Sequence, residues 1–327
     1  MCEEFLFVQP NGSSLYEDFY IERCAWHGEA KRYWNKLYAQ YKKYLDSNFM
    51  SSFPYQCTSR LWELTIANYF NKISDVSQLP VPGSKRQSKP DFNFQFNEQS
   101  WFVECVTATP GDQGNCPYLN DRLPDTNGQA RKVSVDEYRS RLTAAFKEKG
   151  LIKYKQGYHK IIGKNPFIIA ISMVDIPFYN QPNRHEVDLS CFFSHTPDFS
   201  ATICQTQSGP VVSNFYCAYQ NSFLKPTIST SGVSIETDYF INPEFNYVSA
   251  VLISHRWPAL FPDIDQFDQQ SGIQWKIPEK NEFMLIHNPL ATHPVPQKLL
   301  PVRQEFIAVA QPNSWSISDI LTAVHTV

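Results

Sequence analysis

Between residues 91 and 106 apolar and polar side chains alternate with a period of two, broken once by a short polar run. Phe92, Phe94 and Phe96 fall on one side of a first strand, and Trp101, Val103 and Cys105 on one side of a second. The pattern predicts a β-hairpin turning at Glu98-Gln99, with Asn97 facing Ser100, Phe96 opposite Trp101, Phe94 opposite Val103 and Phe92 opposite Cys105. One face is then wholly apolar. The other carries Asp91, Asn93 and Gln95 from the first strand and Phe102, Glu104 and Val106 from the second. In this register Asp91 and Glu104 are diagonal neighbours, roughly 7–8 Å apart, which lets two carboxylates reach one divalent cation.

Elsewhere the period is helical. Residues 28–47 place Trp34, Leu37, Tyr38, Tyr41 and Leu45 on one stripe, and a second helix is expected at about 58–72, with Arg60-Leu61-Trp62-Glu63 in its first turn. Residues 77–89 are rich in Pro, Ser and basic side chains and read as a loop. Residues 108–134 form a long Pro/Gly/Asn-rich connection of the kind that is functional or mobile in compact domains. A third helix is expected from Val135 to Tyr158, burying Tyr138, Leu142, Ala145 and Ile152, with a possible kink at Gly150. The run Pro166 to Val174 is almost entirely apolar, as in a strand covered on both faces. Beyond Pro177 the chain turns acidic and β-rich, with strands expected at 214–219, 249–254, 282–287 and 305–310. Three parts follow: an N-terminal helical arm over 1–57, a core over 58–177 and a β-rich C-terminal extension over 178–327 that packs on the core.

A chain of 327 residues, 42% hydrophobic and 15% aromatic, is long enough for a full core. The eight cysteines form no CxxC pair. Cys191, Cys204 and Cys217 with His195 read as buried thiols in preference to a metal site. The first residues lack the basic and apolar regions of a signal peptide, and no run approaches a membrane span, so a cytoplasmic setting with reduced thiols is expected. The net charge of −3 hides a division: residues 131–164 hold ten basic and three acidic side chains. A basic stripe next to a carboxylate pair suits a polyanion, although a basic run taken alone is more often a solvated helix face.

The order helix, short extended piece near 73–76, hairpin, helix, buried strand reads as αβββαβ. With Pro90-Asp91 and Glu104-Cys105-Val106 it resembles the core of the PD-(D/E)XK superfamily, the restriction-endonuclease-like nucleases, over residues 58–175. Further on, residues 249–254 and 283–291 resemble a C-terminal portion of uncharacterised bacterial proteins that bear such a core. The resemblance implies an α/β fold and a nuclease hydrolysing phosphodiester bonds with Mg²⁺ or Mn²⁺, acting on nucleic acid, DNA before RNA. Asp91, Glu104 and the backbone carbonyl of Cys105 would hold the ion, and Glu63 would be a third acid at the metal or its water. Val106 departs from the motif, which has lysine there. The adjacent basic helix offers replacements: Lys149 and Arg141 first, eight residues apart and near one face, then Lys153, Lys155 and Gln156.

Each residue has a plainer reading. Glu63 can simply pair with Arg60, three residues earlier, yet its neighbours Ile66, Ala67 and Phe70 make an unpartnered carboxylate costly there. Asp91 can be a turn residue after Pro90. Glu104 interrupts an apolar strand, where charge is depleted. His287 and Asn288 read as core or turn residues, and His255 and His293 show no metal-ligand spacing. The rival functions are a catalytically inactive nucleic-acid-binding module on the same fold, and a protein-interaction factor working through its acidic C-terminal half.

Overall fold

The computed structural model describes residues 5–9, 11–23, 25–73, 77–79, 89–109, 135–176, 184–206, 209–223, 227–228, 234–256, 283–311 and 314–321. The chain runs α1 (Ser14–Tyr20), α2 (Ala25–Tyr41), α3 (Phe49–Ser52), α4 (Cys57–Asn71), β1 (Ser77–Leu79), β2 (Phe92–Phe96), β3 (Gln99–Thr107) and α5 (Val135–Lys147). A π-helical segment, Glu148–Tyr158, prolongs α5 and, across a kink at Gly157, meets the short α6 (His159–Ile162). Then follow β4 (Phe167–Ser172), α7 (Arg184–Phe193), β5 (His195–Thr206), β6 (Gly209–Phe223), β7 (Thr227–Ile228), β8 (Ser234–Ile235), β9 (Ala250–Ser254), β10 (Met284–His287), β11 (Gln304–Gln311) and β12 (Ser314–Asp319).

The fold is mixed α/β. Eight strands form one sheet in the order β1-β2-β3-β4-β9-β10-β11-β12. The three inner strands β3, β4 and β9 are parallel to one another, and the flanking pairs are antiparallel except β10 with β11. The C-terminal strands therefore continue the sheet that holds the hairpin. Every side chain of β4 is buried, as its unbroken apolar run requires. Helices cover both faces. On one, α1, α2 and α4 pack over Phe92, Phe94, Val103, Cys105, Ala170 and Leu252. On the other, α5, the π segment and α7 cover Phe102, Ile169, Ile171, Val251 and Ile253. The Trp62 indole Nε1 donates to the Ala170 carbonyl at 2.9 Å and ties α4 to the centre of the sheet.

Two expectations of register need correction. The hairpin turns at Asn97-Glu98, one residue earlier than expected, and pairs Phe96 with Gln99, Phe94 with Trp101 and Phe92 with Val103. Both turn residues have positive φ, 47° and 64°, the conformation in which the turn twist matches the strands. Asn tolerates it well at the first position, and this outweighs the expected facing of Asn97 with Ser100. The register moves by two residues, so each side chain keeps its face. Glu98→Gly is expected to stabilise the protein by about 1 kcal/mol, by relieving the left-handed strain of a side chain with a Cβ; a denaturant midpoint that fails to rise would contradict it.

The second correction lies in the third helix. It starts at Val135 and buries Tyr138, Leu142 and Ala145 as expected, but Ile152 is 45% exposed. From Glu148 the winding widens to π, each turn holds more residues, and the α-helical phase that carried Ile152 inward is lost. Gly150 sits in this segment against the sheet. A Cβ there would lie 2.8 Å from Ile169 Cδ1, so the absent side chain permits the close approach. The extended piece expected near 73–76 falls on residues 74–76, which lie outside the described ones, as do 80–88 and 110–134; β1 at 77–79 instead makes a strand of the start of the segment expected as a loop, paired with β2.

Candidate active site

Asp91 immediately precedes β2, and continuing the ladder by one pair sets it directly across from Glu104 rather than on a diagonal. Its Oδ2 accepts the backbone N–H of Cys105 at 2.7 Å. Along β3 the N–H groups of Phe102 and Ala108 point to the β4 side, so those of the odd residues point to the β2 side. A strand residue turns its N–H and C=O the same way. The Cys105 carbonyl therefore also faces Asp91, past the start of β2, where no ladder partner follows. The hairpin thus gathers two carboxylates and one backbone oxygen at one end.

Glu104 shares the sheet face of Phe102 and is 1% exposed. Its Oε1 accepts from Lys149 Nζ at 2.6 Å, and its Oε2 is buried with no hydrogen-bond partner. Burial and then the Asp91 charge push the Glu104 carboxyl up to about 8, against the pull of Lys149 and the Tyr158 hydroxyl. Asp91 is also raised, by burial, although Lys149, the Cys105 N–H and Arg60 oppose it. Burial acts to lower the Lys149 ammonium, but Glu104 and Asp91 outweigh it and hold the group above the ordinary lysine value. A lysine thus reaches Glu104 from the π segment. No hydrogen bond or ion pair among the described residues joins Arg141 to Asp91, Glu104 or Glu63.

Glu63 approaches from α4. Both of its oxygens accept from Arg60 Nη1, at 2.9 and 3.0 Å, and Arg60 in turn binds Asp46 Oδ2 at 3.0 Å and Ser52 Oγ at 2.8 Å. The pairing with Arg60 that the sequence offered as the plainer reading is present. Glu63 still belongs to the electrostatics of the site: burial and then Asp91 push its carboxyl up to about 8 against Arg60. Among the described residues no three His, Cys, Asp or Glu side chains converge as a ready-made metal set. A divalent ion would here rest on Asp91, Glu104 and the Cys105 carbonyl. These hard oxygens fit Mg²⁺ or Mn²⁺, and the orphaned Glu104 Oε2 is an acceptor in want of a partner.

No protein-family model, curated protein or solved structure matches this chain.

The basic stripe is less free than its composition implies. Arg139 is buried and donates to Ser190 Oγ at 2.9 Å, Lys147 pairs with Glu236 at 3.1 Å and Lys155 with Glu244 at 2.6 Å. Lys160 and Lys164 are exposed and Lys153 is half-buried, while Arg131 and Lys132 lie outside the described residues. Gln156 is exposed and makes no contact with the acids among the described interactions. Cys191 is buried in α7 with a free thiol, and the β5–β6 ladder sets Cys217 across from Phe199 and Cys204 across from Val211. Asn288 is a satisfied turn residue, donating to the Phe245 and Val248 carbonyls at 2.9 and 2.8 Å. His287 binds the buried Glu305 at 2.7 Å. His255 joins Tyr138 at 2.6 Å and Asp188 in a buried network that sequence spacing alone did not signal. Three elements far apart in the chain contribute to it.

Among the described residues no helix is long and apolar enough to cross a membrane.

Proposed function

We propose that this chain is a divalent-metal-dependent nuclease that hydrolyses phosphodiester bonds, with a restriction-endonuclease-like αβββαβ core built from α4, β1, β2, β3, α5 and β4. The observation that carries the reading is the reach of Lys149 to Glu104, directly beside Asp91. It restores, from a neighbouring helix, the acid–acid–cation set that the motif breaks at Val106.

Bound Mg²⁺ or Mn²⁺ would supply a water of lowered pKa and neutralise charge on the phosphate. The chain's own groups do the rest. Cys105 N–H pins Asp91 through one of its oxygens. Glu104 divides its oxygens, one for Lys149 and one for the ion. Lys149, only 21% exposed, brings two further N–H donors to orient an attacking water or a phosphate oxygen. Arg60 holds Glu63 and offsets its charge. Lys153, Lys160 and Lys164 would contact the backbone of the nucleic acid without reading sequence. Lys147 and Lys155 would do so only by releasing Glu236 and Glu244. The restriction-endonuclease-like pattern favours DNA over RNA.

The test is cleavage of linear and supercoiled DNA with Mg²⁺ or Mn²⁺ against EDTA. Metal-dependent cutting by the wild type, lost in both Asp91→Ala and Glu104→Ala, is expected. Wild-type protein that binds Mn²⁺ through these acids yet cuts neither DNA nor RNA would instead favour an inactive binding module.

A further inference from the structure

Glu63 was the expected third acid of the cation site, but both of its oxygens are taken by Arg60. A different oxygen belongs to the same hairpin as the pair. Asn93 is two residues beyond Asp91 on the same strand and so on the same face of the sheet, opposite Phe102 and diagonal to Glu104. It is 6% exposed, and its side-chain Oδ1 is buried with no hydrogen-bond partner. Buried amide oxygens nearly always have a partner, and leaving one bare is costly. Two such orphans, Asn93 Oδ1 and Glu104 Oε2, occupy one face of one hairpin beside Asp91.

The geometry points to Asn93 as the third side-chain oxygen of the cation site, holding the ion or a water bound to it, in the place first assigned to Glu63. This rests on the metal-dependent reading above. An amide oxygen is a hard ligand that suits such an ion without adding charge.

Mn²⁺ affinity of the full chain, measured by electron paramagnetic resonance or calorimetry without nucleic acid, tests this. Asn93→Leu is expected to weaken Mn²⁺ about tenfold and to leave the cation-free melting temperature unchanged or higher, since a bare buried amide is replaced by an apolar side chain of similar size. Asn93→Asp, which keeps an oxygen in place, is expected to bind at least as tightly as wild type, and Glu63→Gln to bind within about twofold of it. Asn93→Leu binding as wild type does, while Asp91→Asn abolishes binding, overturns the role of Asn93 and leaves the cation site standing. Binding unaffected by Asp91→Asn and Glu104→Gln overturns the site itself, and this inference with it. Should Asn93→Leu fail to fold, the Asp variant and Glu63→Gln decide: Asn93→Asp weaker than wild type, or Glu63→Gln weaker by tenfold, counts against Asn93.

Discussion

Glu104→Gln is expected to cost at least about a hundredfold in metal-dependent cleavage and, in EDTA, to flatten the dependence of stability on pH. The two effects share one cause. In the folded protein burial and Asp91 raise the Glu104 carboxyl to about 8, from an ordinary value of 4.5, and Glu63 rises to about 8 in the same cluster. Between those limits the folded state binds more protons than the unfolded state. Stability is therefore fully present below about 4.5 and falls as pH rises towards 8, the reverse of the usual acid denaturation by paired carboxylates. Each carboxyl contributes a slope of at most about 1.4 kcal/mol per pH unit. Removing Glu104 from the balance reduces the slope, and adding Mg²⁺ to the wild type does the same by replacing the protons. Urea unfolding from pH 5 to 8.5 would show it; wild-type stability that climbs across this range would mean that burial does not govern these acids.

The larger structural loss is expected from Lys149→Met. Lys149 is the nearest cation to Glu104, whose side chain is 1% exposed, and it is the strongest opposing influence on Asp91. Removing one member of a buried pair leaves an uncompensated charge, costing about 3–5 kcal/mol. The cost grows with pH because protonation spares Glu104 at low pH. Lys147→Met and Lys155→Met remove pairs that are about half exposed on both sides and should each cost under about 1 kcal/mol. Cleavage is expected to disappear with Lys149 and to persist without the other two. A Lys149→Met protein as stable as wild type at pH 8, or one that still cuts, would remove this residue from the site.

Much of the arrangement is legible in the sequence where one periodicity rules. The hairpin faces follow from alternation, and the two-residue slip in register left them intact because the period is two. Glu104 stands out as a charge within an apolar strand, and Lys149 as a basic residue on the helix that must cover it. What escaped has physical reasons. The π winding after Lys147 leaves no mark in the order of apolar residues, so Ile152 was expected inside. Glu63 was expected at the ion because an unpartnered acid on that helix face is costly, yet Arg60 is its partner. The buried Tyr138–Asp188–His255 network joins residues up to 117 positions apart, beyond the range of local spacing.

The pairing of β4 with β9 sets the order in which this protein can be made. Ile168 lies beside Ala250, so the strand that completes the sheet around the hairpin is translated more than eighty residues later. Until then β4, six buried and wholly apolar or small residues, has one bare backbone edge, a template for pairing with other chains. A ribosome that has finished the motif-bearing segment has not yet made the strand that covers this edge. Premature termination near residue 177 should accordingly yield aggregates and proteolytic fragments, not a small folded core, because the hairpin site and its last supporting strand must be synthesised together.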